Sequence, residues 1–379
     1  MEVVVIGGGI IGCAVAAELA ASGARVTLVE RTAIAAGASG RNLGAIQYPF
    51  DPELATLHTD SLDRYRALAA DDPEFVMPDS PVGVLLLQRD AQTAARHAGR
   101  LAEIVPELAP TFVDEADMAI AEPSLARGLA AVRLETGYPI PPASATQAFA
   151  RRAERLGARV RIGEDATPIV EDGRVTGVRL GGGARLAADA VLVAAGPWTP
   201  PLVDPSGAWQ PIVATWGVTA QFTLGPDAPR HILEEDEVDA VNRPAAATAR
   251  AAASADAEPP SLFSLASADG VSTLGSTFLP AEPDADRIVP LLLRRGARFL
   301  PALETAPEVG RRACARPQSI DGRPFIGPVR DVEGLFVCVG HGPWGISSGP
   351  GSAMMAASAI TNPAAQPIPV ELSASRLNA

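Results

Sequence analysis

Lysine is missing from this sequence. All 31 basic residues of the 379-residue chain are arginines, so a catalytic mechanism that depends on a lysine is excluded. Positive charge is scarce as a whole, because 44 acidic residues leave a formal net charge of −13 and no basic run occurs. Nucleic-acid binding needs clustered cations that neutralise phosphates. We therefore expect no nucleic-acid partner.

Cysteine and long apolar runs are also scarce. Cys13, Cys314 and Cys338 have neither metal-site spacing nor a disulfide pattern, so we expect no metal site. Cys13 and Cys338 lie in apolar stretches and are predicted to be core thiols, whereas Cys314 lies beside polar residues. No apolar run has the length of a transmembrane segment, and a strand beginning at residue 3 leaves no room for a signal peptide. The expectation is a soluble cytoplasmic protein.

The first thirty residues have the pattern of a dinucleotide-binding βαβ unit. The apolar run 3–6 is typical of a strand buried on both faces, and it enters Gly7-Gly8-Gly9-Ile10-Ile11-Gly12, which fits G-x-G-x-x-G. An Ala-rich helix follows at 13–21, and a second apolar run, 26–29, ends at Glu30. This order predicts a bound dinucleotide of unspecified type, with a ligand-free βαβ unit as the alternative.

Each position of this unit has a physical reason. Gly7 allows the tight turn, Gly9 lets the backbone approach a pyrophosphate, and Gly12 lets the helix pack close to the strand. Free N–H groups at the helix start favour phosphate, and an acid after the second strand accepts ribose hydroxyls. The predicted contacts are Gly7, Gly9, Ile10, Ile11, Gly12 and Glu30.

The same arrangement recurs later in the chain. The apolar runs 190–195 and 335–339 return to the parallel core, and glycine turns follow at 196–198 and 340–346. A helix is predicted at 347–360, so a second set of free helix N–H groups would face the ligand. The loop 37–44 is rich in small residues and could wrap around a ligand or be an ordinary connection.

The remaining elements come from periodicity and turn signals. Strands at 159–162, 167–171 and 175–180 are separated by tight turns and predict a small antiparallel sheet. The segment 226–260 is acidic and then rich in Ala and Pro, so we expect it on the periphery of the second domain. Two short strands are expected within 111–138. Further strands are predicted at 82–88, 215–224, 261–266 and 271–277, and helices at 51–69, 91–105, 144–156 and 284–299.

The chain resembles the flavoenzyme family of D-amino-acid oxidase, glycine oxidase and monomeric sarcosine oxidase over almost its whole length. The motifs that carry the resemblance are 5–12, 37–44 and 194–198 and, most strongly, 316–328 with 340–346. The resemblance implies an α/β fold in which a discontinuous, Rossmann-like FAD-binding domain is joined to an α+β substrate domain built on an antiparallel sheet. The predicted FAD-binding segments are 1–80, 141–206 and 311–379, and the substrate-binding segments are 81–140 and 207–310.

The resemblance also implies the cofactor contacts. FAD would lie with its ribose at Glu30 and its flavin near 340–347, where helix N–H groups stabilise the negative charge of the reduced ring. Ile169 would contact the adenine through its backbone. The implied contacts beyond the N-terminal turn are Glu30, Arg31, Ala38, Ser39, Asn42, Leu43, Ile169, Gly196, Gly342, Gly345, Ile346 and Ser347.

The implied reaction is dehydrogenation of a C–N bond in a small amino acid or amine. Hydride passes from the substrate carbon to flavin N5, the imine hydrolyses, and oxygen or another acceptor takes the electrons. Arg316 matches the carboxylate-binding arginine of the family, and its guanidinium suits a bidentate carboxylate; a structural arginine is the alternative. His341 and Trp344 complete the candidate catalytic set.

Three departures leave alternatives open. Phe263 stands where we count the tyrosine that helps glycine oxidase hold the carboxylate, and Cys314 leaves open a covalent flavin as in sarcosine oxidase. Without lysine, the route by which sarcosine oxidase handles oxygen is closed. The chain could instead be a subunit of a multi-component amino-acid, opine or proline dehydrogenase, or, in another class, an NAD-dependent dehydrogenase or a flavin binder without turnover. A homo-oligomer is also left open.

Overall fold

A computed structural model describes residues 1–236, 261–362, 364 and 367–376 of the chain. The strands are β1 Glu2–Ile6, β2 Arg25–Glu30, β3 Ala45–Ile46, β4 Val84–Gln88, β5 Thr111–Val113, β6 Ala130–Leu134, β7 Tyr138–Pro139, β8 Arg159–Ile162, β9 Ala166–Glu171, β10 Arg174–Leu180, β11 Arg185–Ala187, β12 Ala190–Val193, β13 Ile212–Phe222, β14 Ile232–Glu235, β15 Ser261–Ala268, β16 Val271–Thr277, β17 Glu308–Ser319, β18 Phe325–Pro328 and β19 Leu335–Val339. The α-helices are α1 Ile10–Ala21, α2 Pro52–Asp71, α3 Ala91–Ile104, α4 Glu115–Ala121, α5 Ser144–Arg155, α6 Thr199–Val203, α7 Ala285–Gly296 and α8 Gly345–Thr361.

The first sheet is mostly parallel, in the order β18-β19-β12-β1-β2-β8, with β18 antiparallel at one edge. The fully apolar runs of β1 and β12 are buried on both faces, as the sequence predicts. Helices α1, α5 and α8 pack together over one face, while the small antiparallel sheet β11-β10-β9 shares a core with the other. The glycine turns therefore meet at the carboxyl ends of β1 and β19.

One strand belongs to a different sheet from the one expected. The strand β8 was predicted to join the small antiparallel sheet, but it pairs in parallel with β2. Its register places Arg159 beside Thr27 and Ile162 beside Glu30. The preceding helix α5 carries the chain back across the sheet, which is the connection that parallel strands require. The alternating polar residues of β8 reflect its position at the sheet edge.

The second large sheet has the order β17-β13-β16-β15-β14-β4-β6-β5 and is antiparallel except between β14 and β4. Helix α7 covers one face, and the other carries the polar residues described below. The fold is thus α/β, with a parallel sheet joined to a large antiparallel one. Strand β17 crosses the predicted boundary at 311 and pairs with β13 along its length. The domain boundaries stay predictions.

The acidic segment expected on the periphery begins inside this sheet. Glu234 lies on β14, is buried, and accepts a hydrogen bond from Gln47 Nε2 at 2.9 Å. Asp236 follows it, also buried, and accepts from Gln88 Nε2 at 2.9 Å. Side-chain donors make the burial of these carboxylates tolerable, so the acidic composition misled the prediction. The rest of the expected excursion, residues 237–260, lies outside the described residues.

The other elements that the sequence predicts agree with the structure to within a few residues, but several elements were not predicted, among them β3, β11, β14 and α6. The segment 111–138, expected to hold two short strands, contains β5, β6, the start of β7 and helix α4. Strands β17 and β18 were not predicted as strands. None of the helices that the structure describes is both long and apolar enough to cross a membrane.

Candidate active site

The turn between β1 and α1 leaves no room for side chains at two of its glycines. Gly7 has a φ of 113°, and a Cβ atom there would lie closer than 3.0 Å to the carbonyl oxygen of Ala194. A Cβ atom at Gly12 would also lie closer than 3.0 Å to a carbonyl oxygen, that of Gly7. The close approach of helix and strand predicted at Gly12 is therefore confirmed.

The start of α1 presents a cradle for an anionic group. Within the described part of the chain, the N–H groups of Ile11 and Gly12 meet no acceptor, and the N–H of Ile10 donates to Ser39 Oγ at 2.9 Å. The Glu30 carboxylate accepts from the N–H of Gly8 at 2.7 Å. A helix N-terminus with free N–H groups and no side chain in the way fits a pyrophosphate.

The loop 37–44 is shaped by one amide side chain. Asn42 Nδ2 donates to the carbonyl of Ser39 at 2.7 Å and to that of Pro142 at 3.1 Å. Its Oδ1 accepts from the N–H of Gly44 at 2.7 Å. Asn42 therefore fixes the loop between α1 and the second sheet, next to Leu43. Ala38 and Ser39 belong to a 3₁₀ turn in the same loop.

Alternate residues of β17 face this loop and the second glycine turn. Cys314 Sγ donates to the carbonyl of Arg41 at 3.7 Å, and Arg312 Nη1 donates to that of Gly40 at 2.9 Å. Gln318 forms an isolated antiparallel β-bridge with His341, so this end of the strand reaches the turn 340–346. Residues two apart on a strand are roughly 6.6 Å apart. Arg316 therefore lies between the loop 37–44 and the turn 340–346.

Arg316 is anchored by the neighbouring strand β16. Its Nη1 donates to the carbonyl of Thr277 at 2.9 Å, and its Nη2 donates to Ser276 Oγ. The guanidinium lies over the Phe278 ring, 5.0 Å from its centroid, and crosses Gly217, where a Cβ atom would clash with it. Burial lowers the pKa of Arg316, and no carboxylate within the described residues pairs with it.

The turn before α8 is the second glycine cradle. Gly340 and Gly342 have φ values of 94° and 55°, and a Cβ atom at Gly342 would lie 2.5 Å from Gln318 Oε1. The N–H groups of Gly345, Ile346 and Ser347 lie in the first turn of α8, where a helix supplies few backbone acceptors of its own. They fit an electronegative group, as the sequence predicts for this turn.

The two other candidate catalytic side chains are held inside this turn. His341 is 2% exposed, and its Nε2 lies 2.9 Å from Ser352 Oγ. Because Ser352 Oγ donates to the carbonyl of Ser348, the histidine is the donor to it. Burial lowers the pKa of His341 to about 3, so the ring is neutral at physiological pH. Trp344 packs against the core of the parallel sheet. Their catalytic roles stay predictions.

The candidate ribose and adenine contacts lie on the other side of the first turn. The guanidinium of Arg31 lies 4.1 Å from the centroid of the Trp198 ring, so the structure brings Arg31 next to the turn that begins at Gly196. Ile169 pairs with Gly177 in the small sheet. Within the described residues, no backbone hydrogen bond joins the strand that carries Ile169 to the loop 37–44.

Phe263, where the sequence count placed the tyrosine of glycine oxidase, does not face the candidate site. Phe263 is 1% exposed and stacks on Phe299 with centroids 4.8 Å apart, in the core under α7. Neighbouring strand residues face opposite sides, and Ser264 is the one that faces Gly275. The expected shortage of hydrogen-bond donors therefore does not follow, because Ser264 and Ser276 place hydroxyls on the site side.

Sequence reasoning missed the partners of Arg316. Ser276 and Thr277 come from a strand about forty positions away, so no local pattern could identify them. Arg312 and Gln318 could have been found, because they alternate with Arg316 once 308–319 is recognised as a strand.

The chain is similar to known proteins along nearly its whole length. A family model described as FAD dependent oxidoreductase matches residues 2–359. Glycine oxidase of Pseudomonas aeruginosa is 30% identical, and the alignment covers 94% of this chain and 93% of that protein. Iminodiacetate oxidase from Chelativorans sp. has the same fold, with a TM-score of 0.82, 21% identity and coverage of 98% of both chains. L-Proline dehydrogenase from P. horikoshii has a TM-score of 0.80 and 20% identity, with 99% of this chain and 95% of that chain covered. The chain belongs to the DAO family of FAD-dependent oxidoreductases.

Proposed function

We propose that this enzyme oxidises the C–N bond of a small amino acid or carboxylate-bearing secondary amine, in the manner of a glycine or D-amino-acid oxidase. Bound FAD supplies the acceptor of the hydride, and the protein supplies binding and orientation. The similarity to glycine oxidase along nearly the whole chain supports an amino-acid or amine donor. The oxidised product is an imine, which water hydrolyses to an oxo acid and an amine or ammonia.

Arg316 is the observation that carries this proposal. Its guanidinium is partly buried, and among the described residues its hydrogen bonds go to the neutral oxygens of Ser276 and Thr277. A buried charge is normally paired. A substrate carboxylate would supply the missing anion, and the rigid guanidinium would fix the α-carbon relative to the turn 340–346.

The remaining residues support binding and charge stabilisation rather than proton transfer. The N–H groups of Gly345, Ile346 and Ser347 would favour negative charge in whatever they face. His341 has a pKa lowered by burial and already donates to Ser352, which suits a positioning role for the turn. Hydride transfer from an uncharged amine needs no strong general base.

Substitution of Arg316 tests the proposal directly. Arg316→Leu should raise KM for the amino-acid substrate roughly 100-fold, which corresponds to about 3 kcal/mol for a buried charge pair that loses one partner. The activity toward the corresponding amine without a carboxylate should change little. Arg311→Leu is the matched control, because Arg311 lies on the same strand and pairs with Glu308 and Asp286 on the outer side. An unchanged KM in Arg316→Leu would remove the carboxylate role.

A second candidate concerns the electron acceptor. The absence of lysine closes the oxygen route implied by the sarcosine oxidase resemblance. The chain would then be the flavoprotein subunit of a multi-component amino-acid, opine or proline dehydrogenase that passes electrons to an acceptor other than oxygen. Mixing the substrate-reduced protein with air-saturated buffer separates the two. Reoxidation within one turnover time supports an oxidase, and slow reoxidation with fast reduction of an artificial dye supports a dehydrogenase.

A further inference from the structure

Arg312 is a cation of the candidate site that the proposed reaction does not use. It lies on β17 four residues before Arg316, and its side chain points to the same face. Its Nη1 donates to the carbonyl of Gly40 at 2.9 Å, and its Nη2 reaches that of Asn42 at 3.4 Å. Asn42 and Leu43 are candidate flavin contacts. The guanidinium therefore lies directly behind the loop expected to hold the flavin.

No acidic residue compensates Arg312 in the part of the chain that the structure describes. Its two acceptors are backbone carbonyls, and its Nε is buried without an acceptor. Burial lowers the pKa of Arg312; the nearby Cys314 opposes this shift and the charge of Arg41 adds to it. An arginine nevertheless stays protonated at neutral pH. A partly buried charge is also screened less by salt than an exposed one.

The adjacent Arg311 provides the contrast. It faces the other side of β17, where its Nε and Nη2 donate to Glu308 at 2.6 and 2.7 Å. Its Nη1 donates to Asp286 at 2.7 Å. Two carboxylates thus neutralise Arg311, whereas Arg312 has none. The chain therefore contains neighbouring compensated and uncompensated arginines on opposite faces of one strand.

We propose that Arg312 acts as an uncompensated cation behind the loop 37–44 and raises the electron affinity of the bound flavin. The inference rests on the proposed placement of FAD along residues 40–43. Reduction adds negative charge to the flavin ring, and a fixed positive charge nearby favours the more negative form. Arg41 adds less because it is exposed, and the charge of Arg316 is offset when a substrate carboxylate binds.

Sulfite titration of the purified holoprotein tests the charge without an amine substrate. The sulfite lone pair forms a bond to flavin N5 and moves an electron pair to the N1–O2 region, so the adduct is an anion and nothing leaves. Arg312→Gln should raise the dissociation constant of the adduct about tenfold, and Arg312→Lys, which keeps the charge, should stay within about threefold of wild type. The flavin midpoint potential should fall in Arg312→Gln. Arg311→Gln is the control and should match wild type.

Each outcome of this comparison decides the proposal. Wild-type sulfite affinity in Arg312→Gln overturns it, and so does an equal loss in Arg312→Gln and Arg312→Lys, because geometry rather than charge would then matter. Arg312→Met is a second neutral variant. If both neutral variants lose FAD while Arg312→Lys retains it, the charge serves to bind the dinucleotide rather than to tune its electron affinity, and the proposal fails. If all three lose FAD, it fails. If the protein does not oxidise amines, the sulfite affinities and midpoint potentials of the variants can still be measured and compared.

Discussion

Cys314 is the side chain whose chemistry the sequence left open. It is 5% exposed, and its Sγ donates to the carbonyl of Arg41. Burial raises the pKa of the Cys314 thiol, against the opposing charges of the three neighbouring arginines. Only the thiolate is a good nucleophile. The structure therefore favours a flavin that is held without a covalent bond.

We predict that acid precipitation of the holoprotein releases all of its FAD. The pellet should be colourless and the supernatant yellow, both for wild type and for Cys314→Ala. A yellow pellet from wild type that becomes colourless in Cys314→Ala would show that the thiol is linked to the flavin.

The glycine turn makes a second prediction for a single residue. Gly12→Ala should lower the free energy of unfolding by about 3 kcal/mol or more, because the new methyl group would overlap the carbonyl of Gly7. FAD affinity should fall with it. Gly99→Ala is the control, since Gly99 lies in α3 with open space around it and alanine favours helix by roughly 0.5–1 kcal/mol. Chemical denaturation measures both. Equal stability of the two variants would contradict the packing argument.

At the scale of elements, the contact between α2 and α8 supports the predicted flavin turn. Tyr65 is fully buried on α2, and its hydroxyl donates to the carbonyl of Ile346 at 2.7 Å. His58 lies about two turns earlier on the same helix, and its Nδ1 is 3.3 Å from the carbonyl oxygen of Ser347. Both contacts hold the first turn of α8, which follows the predicted flavin turn.

Removing one hydroxyl tests this support. Tyr65→Phe should cost about 1–3 kcal/mol of unfolding free energy, because the buried carbonyl of Ile346 loses its donor. Tyr48→Phe is the control: its hydroxyl donates to Glu107 in an exposed hydrogen bond, so we expect a change below about 0.5 kcal/mol. FAD dissociation, followed by fluorescence, should be faster only in Tyr65→Phe. The same dissociation rate in both variants would contradict the role of α2.

The elements also explain how far the sequence could predict this fold. The strands β1, β12 and β19 are apolar except for Glu2 at the start of β1, so their pattern alone was sufficient. Strand β17 was missed because its inner face carries Arg312, Arg316 and Gln318 and its outer face small alanines, which gives no hydrophobic alternation. The acids of β14 were misjudged because Gln47 and Gln88, which satisfy them, come from distant segments.

At the scale of the whole molecule, stability should depend on two buried neutral histidines. Burial lowers the pKa of His58 to about 4, opposed by the Ser347 carbonyl, and that of His341 to about 3. Between roughly pH 6.5 and these values, the unfolded chain binds protons that the folded chain does not. Stability is therefore fully present above pH 6.5 and is lost as the pH falls.

We predict that acidification from pH 7 to pH 5 lowers the unfolding free energy by about 2 kcal/mol for each of the two histidines. His58→Gln should remove about half of this pH dependence and leave the His341 share in place. Urea denaturation at pH 5, 6 and 7 measures both slopes. A stability that stays constant over this range, or an identical slope in His58→Gln, would contradict the neutral state of the two rings.

The described part of the molecule joins two glycine turns at helix starts to the guanidinium of Arg316, which has no carboxylate partner there. The turns lie at the starts of α1 and α8 at the edge of the parallel sheet, and Arg316 faces them from the large antiparallel sheet. The family assignment makes the cofactor FAD, and the proposed role of Arg316 is to bind a substrate carboxylate. The central claim is that a carboxylate-bearing amine meets the flavin between the two sheets.

The most direct test is an anaerobic titration that follows the visible absorption of the bound flavin. The substrates are glycine, both enantiomers of small amino acids and their N-methyl derivatives, each compared with the amine that lacks the carboxylate. We expect at least one amino acid to bleach the flavin of the wild-type protein at concentrations that leave the flavin of Arg316→Leu oxidised. The amine without a carboxylate should reduce the flavin of both proteins at the same rate. Bleaching that is equally fast in both proteins, or a flavin that no carboxylate-bearing amine reduces, would contradict the account.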